Sequence, residues 1–353
     1  MRLFLQKHIS ILTIIVALVG LFVELLGFFE NYSLFAICTF IKDVFPFNYF
    51  LLSPFIIPDT VYYGDSFFVN FLSVFFYLFL SVSAYIHLKY KSSRLLLFLF
   101  AIIFILNSIP AISVFFIDVY VYQHLPLFIF TKSLVWVVIS FFVIKLFNNN
   151  DYDKETSEYY EKVGLGTKKK ARVFSRLYNF IIDIELFYIM TWAFIPLREI
   201  DHAIFRYTNN SYVYTAIVCY ILYCFTFEAL FHATPAKFIT QTRLVAVESK
   251  ALSVSRVLLR TVCRLIPFEA LSFLAFKTGL HDKLSGTDVV KLKHEPFSNT
   301  KAFGVFIATL IISIFIFWTG SNIHFNQKVS SAKTKQEQTN NLINKANDLE
   351  VND

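Results

Sequence analysis

The chain predicts an all-α, polytopic membrane protein, with about seven transmembrane helices plus one interfacial amphipathic helix. Three observations carry that prediction. First, 56% of the 353 residues are hydrophobic, 44 residues are Phe, and only 16% are charged. A soluble core does not hide that much apolar surface. Second, apolar runs of bilayer-spanning length recur at 9–29, 66–88, 95–117, 125–147, 176–197, 211–232 and 302–320. Third, the basic residues lie between those runs on alternate sides. With the N-terminus inside, the inside loops hold 23 Lys and Arg, and the outside loops before the tail hold only Lys42, Arg198 and Arg206.

The elements follow in order. Arg2 and Lys7 precede the first run. Glu24 interrupts it and no small-residue cleavage site follows, so it reads as an uncleaved anchor rather than a signal peptide. Region 33–57 is apolar but broken by Lys42, Asp43, Pro46 and Pro54, with Pro58 just beyond. It reads as an exported loop lying partly against the membrane. The next three runs complete a four-span N-terminal bundle over 1–150, whose polar residues are Glu24, Asp118 and Lys132. A polar linker, 151–170, ends in Lys168, Lys169 and Lys170. A second membrane domain is expected over 171–300, a C-terminal span over 301–320, and a polar tail over 321–353 that is disordered or weakly helical.

Segment 253–276 departs from the spanning pattern. Arg256, Arg260 and Arg264 recur every four residues, which puts them on one helix face. Crossing the bilayer would drag three guanidiniums through hydrocarbon. An amphipathic helix at the inner surface avoids that cost, with Pro267 bending the chain and 268–276 dipping back. The arginine face is then either solvated or phosphate-facing, or it turns Arg260 inward to neutralise Asp183.

Several function classes find no support. Basic residues sit in loops rather than in a groove, which argues against nucleic acid. Cys38, Cys219, Cys224 and Cys263 lack CxxC spacing and read as packed thiols, not as a metal site. Gly164-x-Gly166 lacks the phosphate-loop pattern, and HExxH, GxSxG and kinase signatures are missing. No enzyme, cofactor or metal is expected. Asp183 and Glu228 would be the carboxylate pair of an intramembrane aspartyl protease, but neither has a motif around it.

The charged residues inside apolar runs are the candidate site. Arg176 and Asp183 are seven apart, on nearly one helix face and about 10 Å apart along the axis. A carboxylate at the bilayer centre costs roughly 3 kcal/mol or more, so it faces a protein interior, an ion path or a partner charge. On the structural reading, Arg176 anchors the inner headgroup level and Asp183 bonds another helix. On the functional reading, Asp183 is a cation or proton ligand. Glu185, two positions on, lies about 200° round and cannot share that face. Glu228 and His232, at i and i+4, bond each other or share a polar pocket with Asp183.

The C-terminal half then resembles a known family. Arg176-Leu-Tyr-Asn-Phe-Ile-Ile-Asp183 opening a span is similar to the first signature of the RDD family of membrane proteins. Thr234-Pro-Ala-Lys237, Ser255-Arg256-Val-Leu-Leu-Arg260 and His281-Asp282-Lys-Leu-Ser-Gly286-Thr287-Asp-Val-Val290 follow in the family's order, over about 170–291. The chain departs from the family pattern at Ala236 and His232, where glycine is usual. On this resemblance the named arginine is Arg176 and the two aspartates are Asp183 and Asp282. The implied role is transport-related, with cation/proton exchange suggested for some members.

The expected protein is thus a multi-pass bacterial inner-membrane protein that moves a small cation or solute. The alternative is a non-transporting scaffold that recruits membrane partners. Arg176 and Asp183 form the central pair. Asp282, Lys237 and Arg260 organise the cytoplasmic face, with Glu228 and His281 as supporting polar residues. The expected partners are the lipid bilayer, including anionic lipids at its inner surface, and other membrane proteins.

Overall fold

The computed structural model describes residues 2–26, 62–113, 125–148, 171, 173–193, 211–247, 252–264, 266, 272, 279–291 and 299–350. The exported loop at 33–57, the linker at 151–170, Asp118, and the dip at 268–276 apart from Ser272 fall outside the described residues.

Each of the seven expected apolar runs falls largely on a helix among the described residues. These are α1 (Arg2–Leu26), α2 (Tyr62–Tyr90), α3 (Arg94–Ser113), α4 (Leu125–Phe147), α5 (Val173–Ala193), α6 (Ser211–Phe231) and α10 (Asn299–Glu350). Among the described residues, 4 helices are long and apolar enough to cross a membrane: Leu3–Leu26, Phe71–Tyr90, Phe130–Phe147 and Thr300–Gly320. Arg94–Ser108 and Tyr220–Phe231 are shorter apolar stretches, and α5 carries Arg176, Asp183 and Glu185 within its length.

Helix α3 is the axis of the bundle. Every residue from Arg94 to Ile105 is buried, as expected of a helix apolar all round. It packs on α4, on α2 and on the short helix α7 (Pro235–Thr240). An aromatic seam ties this bundle to α6: Phe104 meets Phe227 and Phe231 edge-on at 5.8 and 5.9 Å, and Phe141 meets Phe231 at 5.8 Å. The C-terminal end of α4 closes the seam. Lys145 Nζ donates to the Leu230 carbonyl and Asn148 Nδ2 to the Phe231 carbonyl, each at 2.8 Å. These bonds satisfy two of the carbonyls that α6 leaves open at its C-terminus, and the lysine charge suits that end of the helix dipole.

Helix α1 packs along α2, and the close approach is at Gly20. A Cβ there would lie 2.5 Å from the ring of Tyr77, itself 2% exposed. Gly20→Ala is therefore expected to cost about 1–3 kcal/mol through overpacking. Gly304→Ala, with nothing within 4 Å of the new Cβ, serves as the matched control. Melting temperatures of the two variants in detergent check this.

The fold is all-α as expected, with one small two-stranded ribbon added to the helices. Strand β1 (Thr242–Ala246) pairs antiparallel with β2 (Thr287–Lys291), Thr242 opposite Lys291 and Ala246 opposite Thr287. The strands have five residues each and stand far apart in the chain, so they are too short to register as runs. Between them come α8 (Val254–Cys263) and α9 (Leu280–Ser285). Helix α9 ends on Gly286 at φ 62°, a left-handed position that suits glycine and turns the chain directly into β2.

The tail is also more regular than expected. Helix α10 runs through it to Glu350. Beyond Gly320 the sequence has no Pro or Gly, and Ala, Lys, Gln and Glu, which favour helix, recur along it.

Candidate functional site

Arg176, Asn179 and Asp183 sit at i, i+3 and i+7 of α5 and form one buried polar face. The opposite face, including Phe174, Tyr178, Ile181 and Ile184, is exposed. Each residue of the polar face meets a different partner set, so the face makes a ladder of three levels.

Arg176 occupies the first level. Its guanidinium donates to Asp282 of α9 and to Asp288 of β2, and reaches the Val289 carbonyl at 3.3 Å. Asp282 is shared, because Arg260 of α8 bonds its other oxygen and also donates to Thr287 Oγ1 at 2.9 Å. Arg260 Nε lies 3.3 Å from Glu228 Oε2 near the end of α6. Glu228 completes the network with Lys237 of α7 and with Arg264, the C-cap of α8, the latter at 2.5 Å. Arg176, Lys237, Arg260 and Arg264 thus meet Glu228, Asp282 and Asp288, and Glu228 is fully buried.

Charges so deeply buried are tolerable only when paired and hydrogen-bonded on several sides. Burial pushes the Lys237 ammonium below its ordinary pKa; Glu228 opposes that shift without cancelling it. Burial works against the Arg264 charge too, but there Glu228 prevails and the guanidinium is held protonated.

His281 stands beside Asp282, its Nε2 3.4 Å from the carboxylate. Burial, then the charges of Arg260, Arg264, Lys237 and Arg176, hold its pKa far below the ordinary 6.5, so it is neutral. The unfolded chain takes up a proton at this residue below about pH 6.5 and the folded chain does not. Stability should therefore fall as pH drops through that value, and His281→Gln should lose this component. Unfolding followed from pH 7.5 to about 5 in both proteins would show the difference.

Asn179 forms the second level. Its Nδ2 donates to Thr242 Oγ1 at 2.9 Å and its Oδ1 accepts from Thr240 Oγ1 at 2.5 Å. Asp183 forms the third. Its Oδ1 accepts from Tyr223 Oη at 2.8 Å and from the Ala236 backbone N–H at 3.2 Å, and its Oδ2 accepts from Thr234 Oγ1 at 2.6 Å. Among the described residues no lysine or arginine forms an ion pair with Asp183.

The expected central pair is therefore corrected. Arg176 and Asp183 share a face but not a bond, because the two helical turns between them are filled by Asn179 and its threonines. The expectation that Arg260 turns inward to neutralise Asp183 is corrected in its target: Arg260 does turn inward, onto Asp282 and Glu228. The solvated or phosphate-facing reading of the arginine face fails for Arg260 and Arg264, whose guanidiniums hold carboxylates. Glu228 and His232 do not bond through their side chains. Glu228 takes the three cations, while the His232 ring lies 3.2 Å from Arg243.

The two positions where glycine is usual behave differently. His232 adopts φ 58°, a left-handed conformation that glycine takes most easily. Ala236 is fully buried in helical backbone, and its N–H serves Asp183. Close packing at Ala236 thus survives the extra methyl. Neighbouring residues of α7 serve the two carboxylates, Ala236 for Asp183 and Lys237 for Glu228.

Residues not given a role from the sequence complete the site: Asp288, Asn179 and Thr234, which lie inside the quoted motifs, and Tyr223, Thr240 and Thr242, which do not. Asn179 had a further signal in its helical spacing between Arg176 and Asp183, and Thr234 and Asp288 had one in the motifs around them. The others come from elements too short, or too far away in sequence, for periodicity to connect them.

Residues 170–328 match the RDD family, which takes in α5 to α9, both strands and the first part of α10. Helices α1 to α4 lie outside the match. No curated protein and no solved structure matches the chain.

Proposed function

We propose that this membrane protein with an RDD-family region moves a small cation or solute, with Asp183 as the group that exchanges charge with the cargo. One observation carries the reading: Asp183 is a buried carboxylate held by three neutral donors and no counter-ion among the described residues. A carboxylate in that setting takes up and releases a cation or proton more readily than one locked to a guanidinium, because its direct partners are neutral hydrogen-bond donors. The ladder through Asn179 and its threonines leads from Asp183 to the charged network and supplies oxygen ligands along the way.

The scaffold reading expects Asp183 in a dry ion pair, and the neutral donors around it favour transport instead. The test is ion-driven flux in proteoliposomes, comparing wild type with Asp183→Asn. Wild-type flux that disappears in a folded Asp183→Asn supports the reading. Equal flux in both removes Asp183 from the coupling step, and no flux of any ion with the wild type favours the scaffold.

The same proposal puts the protein in a bacterial inner membrane, crossing seven times with the N-terminus inside. The motive is the 23-to-3 split of basic residues between inside and outside loops. Reporter fusions at Asn150, Glu295 and Asn340 should read inside, inside and outside. An outside signal at Glu295 would show that the segment containing α8 crosses the bilayer.

A further inference from the structure

Helix α8 is amphipathic in the opposite sense to a helix on a soluble protein. Its inward side chains are Val257, Arg260, Thr261 and Cys263, at 1–7% exposure. Its outward side chains are Val254, Leu258, Leu259 and Val262, at 61, 48, 47 and 49% exposure, with Ile266 just beyond the helix at 39%. No charged side chain interrupts that outward face; Ser253 and Ser255 lie at its start and bond each other at 3.1 Å. The arginines are drawn in by Glu228 and Asp282, which the chain must neutralise. The leucines are turned out as a consequence.

We propose that this leucine face of α8 is inserted into the hydrocarbon of one membrane leaflet. Helix α8 is then an in-plane lipid anchor whose other face clamps Glu228 and Asp282. Three observations select lipid as the occupant. The chain has helices long and apolar enough to cross a membrane, so hydrocarbon is at hand. Ten residues make about 15 Å of helix, too short to span but suited to lying in the interface. Helix α8 packs on α6, whose outward residues Ile217, Val218 and Leu222 are apolar as well, so the two present apolar side chains alike. The inference does not depend on transport. It assigns Arg260 and Arg264 to protein carboxylates rather than to lipid phosphates, and it makes acyl chains the surface against which the clamp is held.

The test is site-directed spin labelling of the full chain in vesicles of phosphatidylcholine and phosphatidylglycerol. Single cysteines at Leu258, Leu259 and Val262 would be labelled, with Cys38 and Cys219 changed to alanine and the buried Cys224 and Cys263 left in place. Glu337→Cys gives an exposed reference past the last candidate span. Oxygen collision should exceed that of a water-soluble nickel reagent several-fold at all three leucine-face sites. The order should reverse at Glu337. Nickel access at Leu258, Leu259 and Val262 would overturn the proposal in favour of a solvated helix. Exclusion of both reagents there would overturn it in favour of a protein cover, either a second copy or another segment of this chain. Three independent labelled sites guard against one variant failing to fold.

Discussion

Glu228→Gln is expected to lower stability by about 3–5 kcal/mol, the range for leaving buried charges without their counter-ion. Glu228 is fully buried and meets Lys237, Arg260 and Arg264 together. Glutamine keeps one acceptor oxygen but no charge, so three cations lose their common anion. The loss should not be symmetric among the partners. Lys237→Met leaves Glu228 with two guanidiniums, and burial already weakens the lysine's hold on its proton. That variant should lose clearly less. Thermal unfolding in detergent, read by loss of the monodisperse peak, orders the two. Glu228→Gln melting with the wild type would mean that the network adds nothing to the fold, and a larger loss in Lys237→Met would reverse the assignment of Glu228 as the hub.

Asp183→Leu is expected to destabilise far more than Asp183→Asn, by about 3 kcal/mol or more. Leucine strands the Tyr223 hydroxyl, the Thr234 hydroxyl and the Ala236 N–H, each a buried donor worth about 1–3 kcal/mol when left unsatisfied. Asparagine keeps Oδ1 for two of those donors, and the Thr234 hydroxyl can rotate to accept from the new amide. An ion pair at Asp183 would predict a large loss in both variants, since either would strand a guanidinium. The neutral setting predicts a folded Asp183→Asn, which makes it a clean probe of flux. Glu185→Gln should change stability little, because Glu185 is exposed on the other side of α5. If Asp183→Asn unfolds as readily as Asp183→Leu, the carboxylate's charge is structural after all.

The apolar runs and the basic residues between them were sufficient to place helices α1 to α6 and the start of α10, because long apolar helices carry their signal in local composition. Four cationic members of the network, Arg176, Lys237, Arg260 and Arg264, were also visible, since a charge beside apolar sequence stands out. The pairings were not. Nearest spacing along α5 suggested Arg176 with Asp183, yet the partners of Arg176 come from α9 and β2 more than a hundred residues later.

What the chain determined by itself is therefore the membrane class, the family region and the residue types that must be neutralised. The tertiary structure decided which charge neutralises which. The short helix α9 and strand β2 bring Asp282 and Asp288 to the arginines, α6 brings Glu228, and that leaves Asp183 to neutral donors. The same convergence turned α8 over: four-residue spacing establishes that its arginines share a face, but not which way the face looks. Attraction to buried carboxylates set that direction, and no local pattern in a sequence encodes the position of a charge that arrives from another part of the chain.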